Sequence, residues 1–373
     1  MRPTSDGKEK NSLKKDTKNT GVCLKKTTIG GQALIEGIMM KSPKKAAMAV
    51  RNPQGEIVLE EVETKGASRP RFCRWPIVRG LFVYIDSMVS GYKCLMRSAE
   101  IAGLEDVVEE KPKKKSKRAE AETVETVETV ETAEKEKKEN EDEEKLPAWL
   151  VSLVMVLGVV LGMLLAVGLF VMLPTLLFDL LAKFVPVLKN TGNPALDSLC
   201  KSAFEGVLKV LLLVGYMAAV SLMKDIRRTF MFHGAEHKTI FCYEAGRELT
   251  VENVRLQNKY HPRCGTSFLI LMVLVSIFIS FFIDPIALLI SGETLPTALR
   301  FAVKFLMIPL IVGIGYELIK IAGKHDNWFT RAISMPGVWL QHLTVLEPTD
   351  DMIECAIAAM KEVIPDDGSD RWE

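Results

Sequence analysis

Residues 146–178 read LPAWLVSLVMVLGVVLGMLLAVGLFVMLPTLLF, without one charged side chain. A helix of ~20 apolar residues crosses the hydrocarbon core of a bilayer, so this run is long enough to span, with Trp149 at one interface and Pro174 near the exit. Working outward, a second apolar run covers about Ala203 to Met223 and carries Glu205 and Lys209 in its first turns, where both can snorkel to the interface. A third is uncharged from Cys264 to Ile283, and a fourth, about Leu299 to Ile319, carries Lys304, Pro309 and Glu317. The expected fold class is an α-helical integral membrane protein with about four transmembrane helices, paired as 146–223 and 264–321.

The rest of the chain divides by composition. Residues 1–26 are basic and polar with no apolar core, which predicts a disordered tail and argues against a secretory signal. Residues 27–104 form an N-terminal region. Within it AAMAVRNPQGEIVLEEVET (46–64) alternates around Asn52, Pro53, Gln54 and Gly55 and predicts a β-hairpin. From Pro76 to Met96 the charges Arg79, Asp86 and Lys93 recur every seven residues, placing them on one stripe of an amphipathic helix at a membrane interface or against other helices. Residues 105–145, including ETVETVETVET, hold too little apolar surface to fold and read as a disordered charged linker.

Lys and Arg place the loops. Residues 224–263 are rich in them (Lys224, Arg227, Arg228, Lys238 and Arg247 among others), whereas the first inter-span loop has only Lys183, Lys189 and Lys201 and the third has none before Arg300. Because short cytoplasmic loops collect positive charge, the 224–263 loop and both termini are expected in the cytoplasm of a multi-pass cell-membrane protein. The 48 Lys and Arg balance 47 Asp and Glu to a net charge of +1, so no field draws in nucleic acid and the expected partner is the lipid bilayer. A homo-oligomer is compatible with the composition. Seven cysteines without a C-x-x-C pair fit a reducing compartment.

The chemistry concentrates in the 224–263 loop. In FHGAEHKTIF, His233 and His237 are one helical turn apart and can aim both imidazoles at one metal, with Glu236 beside them. H-x-x-E-H is the inverzincin pattern, in which two histidines hold zinc and the glutamate is the general base. Glu244, two turns on, is a further candidate ligand. Downstream, HPRCGTS offers His261 and Cys264 on a stiff Pro and Gly turn. All four donors binding would make a closed structural site; three would leave a position open for catalysis. Arg263 could bind an anion. Glu317, near a span end, and Glu36, between glycines in GGQALIEGIMM, are additional candidates. His325 and His342 read as surface or core histidines. Residues 322–373 predict a cytoplasmic segment with a Pro336–Gly337 turn and a helix starting near Pro348 and Thr349, its apolar face packed on the loop.

The blocks GGQALIEGIMM, RFCRWPIVRGLFVYIDSMVSGYK, FHGAEHKTIFCYEAG, HPRCGTSFL and PGVWLQHLTVLEP together resemble the YqhQ-like family of bacterial membrane proteins. The resemblance covers about Thr27 to Met360 apart from the linker. It implies an integral membrane protein of the kind described as a metal-dependent enzyme, with its pattern matched at His233, Glu236, His237, His261 and Cys264. The expectation is therefore a membrane-embedded metal-dependent enzyme with a cytoplasm-facing zinc-type site, a hydrolase as the favoured class. The alternatives are a scaffold with structural zinc and a transport component using Glu317 and Lys304.

Overall fold

The computed structural model describes residues 26–63, 73, 75–104, 148–188, 190–293, 295–325 and 327–371; the expected basic tail up to residue 25 and the 105–145 linker lie outside them. Four strands come first: β1 (Gly30–Leu34), β2 (Gly37–Lys41), β3 (Ala46–Arg51) and β4 (Ile57–Val62), an antiparallel meander in that order. The predicted hairpin is β3 and β4. Of the two additional strands, β2 escaped the period-2 reading because it is buried on both faces and so is an apolar run rather than an alternation, and β1 because its exposure falls steadily from Gly30 to Leu34. Glu36 closes the β1–β2 turn at φ 51, and its carbonyl accepts from Arg51 N at 2.8 Å.

Each sheet face is covered by a helix. On one side lies α1 (Val78–Ile101), where Cys94 packs with Leu34, Met39, Met48 and Val50. Among the described residues ten α-helices follow it: α2 (Ala148–Val167), continuing through a π turn (Gly168–Met172) into α3 (Leu173–Phe184), then α4 (Pro194–Val220), α5 (Lys224–Glu244), α6 (Val251–Arg255), α7 (Gly265–Ser291), α8 (Thr297–Leu306), α9 (Ile308–Lys324), α10 (Trp328–Thr344) and α11 (Asp350–Val363). The second sheet face packs Ile38, Met40, Ala47 and Ala49 against Phe232 and Ala235 of α5 and Met352, Ile353, Ala356 and Met360 of α11. Burying side chains of this size contributes roughly 1.5–3 kcal/mol each. The C-terminal helix therefore does fold back on the His-bearing segment, as its apolar face requires.

Val160–Phe184, α4 and α7 are long and apolar enough to cross a membrane, and α8 with α9, bent by 41°, adds a fourth if the pair is one span. Pro309 explains the bend, since its ring and missing N–H cannot continue α8. The His-bearing helix is separate from α4, because Ser221–Met223 break the helix before Lys224. Two expectations are corrected. Pro336 and Gly337 make no turn but lie inside α10: Gly337 presses on Ser267, where a Cβ would come within 2.4 Å of the serine Cβ, so the helix docks closely on α7. Finally, Glu205 does not snorkel. It is 2% exposed, accepting from Lys304 Nζ at 2.8 Å and Thr175 Oγ1 at 3.0 Å, while Arg300 pairs with Asp284 at 2.6 Å. In an apolar surround a carboxylate is better satisfied by an opposite charge on a neighbouring helix than left alone.

Candidate metal centre

The H-x-x-E-H segment forms α5 over its whole length, and its helical spacing brings the His233 and His237 rings to 4.4 Å between centroids. Cys264 is the N-cap of α7, its Sγ accepting from Thr266 N, and this start point carries the sulfur to α5. His233 Nε2 lies 3.1 Å from Cys264 Sγ, and one ligand atom from each of His233, His237 and Cys264 falls within 4.8 Å of the other two. Donors on a tetrahedral zinc, at bond lengths of ~2.0–2.3 Å, stand about 3.3–3.8 Å apart, so the trio needs little adjustment to hold such an ion.

The rest of each ring is oriented for that task. His233 Nδ1 donates to Thr344 O (3.0 Å) and His237 Nδ1 to Lys259 O (2.6 Å), leaving both Nε2 atoms toward the sulfur. A carbonyl on the distal ring nitrogen is the usual partner of a metal-bound imidazole, because it fixes the tautomer and raises ligand basicity. Burial pushes the Cys264 thiol up, but the facing imidazoles overcome this and hold it well below the ordinary thiol range. Burial pulls His233 down, and the Cys264 sulfur reverses the effect, raising it to about 9. The two shifts run in the sense that favours negative charge on the sulfur and positive charge on the ring, an arrangement in which a bound cation would take the place of the ring proton.

Glu236 is buried beside the trio, and one carboxyl oxygen, Oε2, has no hydrogen-bond partner among the described residues. Burial raises its pKa; the neighbouring histidines oppose this incompletely. An orphaned buried carboxyl oxygen next to three converging donors fits a missing cation or a polar reactant.

The other candidates are placed elsewhere. His261 lies behind the trio, 5.6 Å from His237 between ring centroids, and is outside the group of converging donors. Its backbone N–H and C=O are both bonded by Gln341, at 2.8 and 2.6 Å. Its Nε2 is 3.7 Å from Glu244 Oε2, and burial first, with Arg263 next to it, lowers it to about 4 despite that carboxylate. Glu244 itself pairs with Arg263 and accepts from Thr27 N at 2.8 Å; burial would raise its pKa, but His261 and Arg263 bring it to about 2. It is a bracket for the N-terminal segment rather than a third ligand, and Arg263, which also donates to Thr27 O at 2.8 Å, is held in that bracket. Glu317 pairs with Arg79 (Nε to Oε1 2.6 Å) and fastens α9 to α1. Glu36 pairs with Arg228 (Nη2 to Oε2 2.6 Å), fastening the sheet to α5. Sequence reading missed Thr344, Lys259 and Gln341, since backbone carbonyls and a helix-borne glutamine carry no local signature.

A sheet clasped between α1 and α5, standing on apolar helices and enclosing a His, His, Cys and Glu cluster, defines the class of protein. The family model described as "Protein of unknown function (DUF1385)" matches residues 75–366, and the chain belongs to that family. It is 30% identical over 339 residues to "Uncharacterized protein YqhQ" of Bacillus subtilis (strain 168), a match covering 90% of this chain and 92% of that protein. No solved structure matches.

Proposed function

We propose that the chain is a membrane-embedded, metal-dependent hydrolase whose site faces the cytoplasm. One observation carries this reading: three donors gather within 4.8 Å beside a buried carboxyl with an unpartnered oxygen. Three protein ligands and one further position is the pattern of catalytic rather than structural zinc sites. His233, His237 and Cys264 would hold the ion, and the N and S donor set suits zinc. A bound ion of this kind supplies Lewis acidity and activates water at neutral pH. Glu236 is the general base, its raised affinity for protons suiting it to accept one from the attacking group and return it to the leaving group. Thr344 and Lys259 hold the two rings in place through their carbonyls. The placement of His261 outside the trio disfavours the four-ligand scaffold reading, and the pairing of Glu317 with Arg79 and of Lys304 with Glu205 removes the charges a transport path would use.

Cobalt substitution tests this. An open site predicts that a small anion such as azide shifts the visible d–d bands of the cobalt protein, with Glu236→Gln still loading metal; bands indifferent to azide would establish a closed structural site. A second reading, a metal-free Cys264 nucleophile activated by His233, is favoured by their 3.1 Å contact. Under that reading iodoacetamide alkylates Cys264 as fast with zinc present as without it.

A further inference from the structure

A cavity of about 460 Å³ opens between the free edge of the sheet, α1 and α9, with Gly31, Lys41, Val83, Ser87 and Tyr316 in its wall. Its floor adjoins the candidate metal centre. Gly31 is in the edge strand, and a Cβ there would come within 2.9 Å of Glu236 Cδ, with Met39 O and Met40 Sδ at 2.7 and 3.0 Å, so this glycine belongs both to the cavity wall and to the surroundings of the carboxyl.

The wall has two characters. Tyr316 belongs to α9, one half of the bent apolar pair, which sets the mouth at the level of the apolar helices. On its opposite side, about half a helical revolution from Val83, α1 presents Ile85, Met88, Val89 and Tyr92, each more than 40% exposed, an uncovered apolar face suited to the interfacial layer of a bilayer. Lys41, itself exposed, brings to the rim a cation without a carboxylate partner among the described residues, and the exposed Ser87 adds a hydroxyl. An opening lined by Met39, Val83 and Tyr316 with a lysine at its rim fits a molecule with an apolar tail and an anionic head.

We infer that this cavity binds an anionic lipid drawn sideways from the bilayer, its headgroup on Lys41 and Ser87 beside the Gly31 wall next to Glu236, and its chain along Val83 and Tyr316 toward the apolar helices. This rests on the membrane and metalloenzyme reading above and names the substrate class for that site.

The test uses full-length protein in detergent and dioctanoyl-phosphatidylglycerol as the probe, with dioctanoyl-phosphatidylcholine and inorganic phosphate as comparators and zinc content read on every sample. Saturable binding of the anionic lipid is expected, at least about tenfold weaker in Lys41→Gln for the loss of a charge-assisted hydrogen bond, and abolished in Ser87→Trp, which fills the cavity from the surface of α1. Phosphatidylcholine should bind no better than Lys41→Gln binds the anionic lipid, and phosphate should not compete at equal concentration. Equal affinity in wild type and both variants overturns the inference, as does competition by phosphate alone, which would assign the lysine to a soluble anion. Lipid binding intact in protein without zinc supports the cavity and overturns only the metalloenzyme reading. Zinc at one per chain with no lipid binding overturns the cavity alone.

Discussion

The H-x-x-E-H helix carries a glycine between its ligands, and Gly234→Ala probes why. A Cβ there would meet Leu346 O at 2.0 Å, Leu346 C at 3.2 Å and Pro348 Cδ at 3.3 Å. The first contact is with a backbone oxygen that cannot rotate away, so α5 and the 344–348 segment must separate by more than about 1 Å to reach an ordinary contact of ~3.5 Å. Beside Gly234 two bonds cross that seam, Leu346 N to Phe230 O (3.0 Å) and His233 Nδ1 to Thr344 O (3.0 Å), and one turn on Lys238 pairs with Glu347. Losing both costs about 2 kcal/mol and overpacking ~1–3 kcal/mol, while alanine's better helix propensity returns about 1 kcal/mol, for a net loss of roughly 2–4 kcal/mol. The His233 ring also loses the carbonyl that orients it, which should weaken zinc binding by about 10- to 100-fold. Thermal unfolding in detergent reads the first effect, and competition against a fluorescent zinc chelator the second. A Gly234→Ala protein with wild-type melting and wild-type zinc affinity would refute the claim that this backbone seam holds the site.

The other predictions are briefer. Glu244 titrates lower in the fold than unfolded, about 2 against 4.5, so its stabilisation is complete above pH 4.5 and is lost as pH falls toward 2; that difference corresponds to roughly 3 kcal/mol. Glu244→Gln should therefore lower stability at pH 7 and flatten the acid limb of a pH–stability curve, and an unaltered limb would contradict the bracket. Breaking the Arg79 and Glu317 pair from either side should loosen α1 from α9, and a double-mutant cycle should return a coupling of about 1–3 kcal/mol, whereas additive losses would mean the pair contributes nothing. Phe232→Ala, removing a side chain 1% exposed in the shared core of α5, α11 and the sheet, should cost about 3–5 kcal/mol by chemical denaturation.

What the sequence made legible follows from the range over which each signal acts. The uncharged runs, the β3–β4 hairpin and the helix beginning at Asp350 are set by local composition and turn chemistry, and each is where it was expected. Strand β2 was missed because burial on both faces erases alternation, β1 because its exposure falls steadily along the strand instead of alternating, and Pro336 misled because its helix is sustained by packing on Ser267 of α7, some seventy residues earlier in the chain. At the site, i and i+4 spacing sufficed to pair His233 with His237, whereas the choice between Cys264 and His261 depended on how HPRC meets α5. Cys264 caps α7 with its sulfur toward the histidines; Gln341 grips the His261 backbone and turns that ring to Glu244.

The most direct test of the account is elemental analysis of full-length protein purified in detergent without chelators. The account predicts about one zinc or other transition metal per chain, retained in Glu236→Gln and lost in the His233→Ala, His237→Ala double variant while α-helical content by circular dichroism is unchanged. No stoichiometric metal in the wild type, or metal that persists in the double variant, would contradict it.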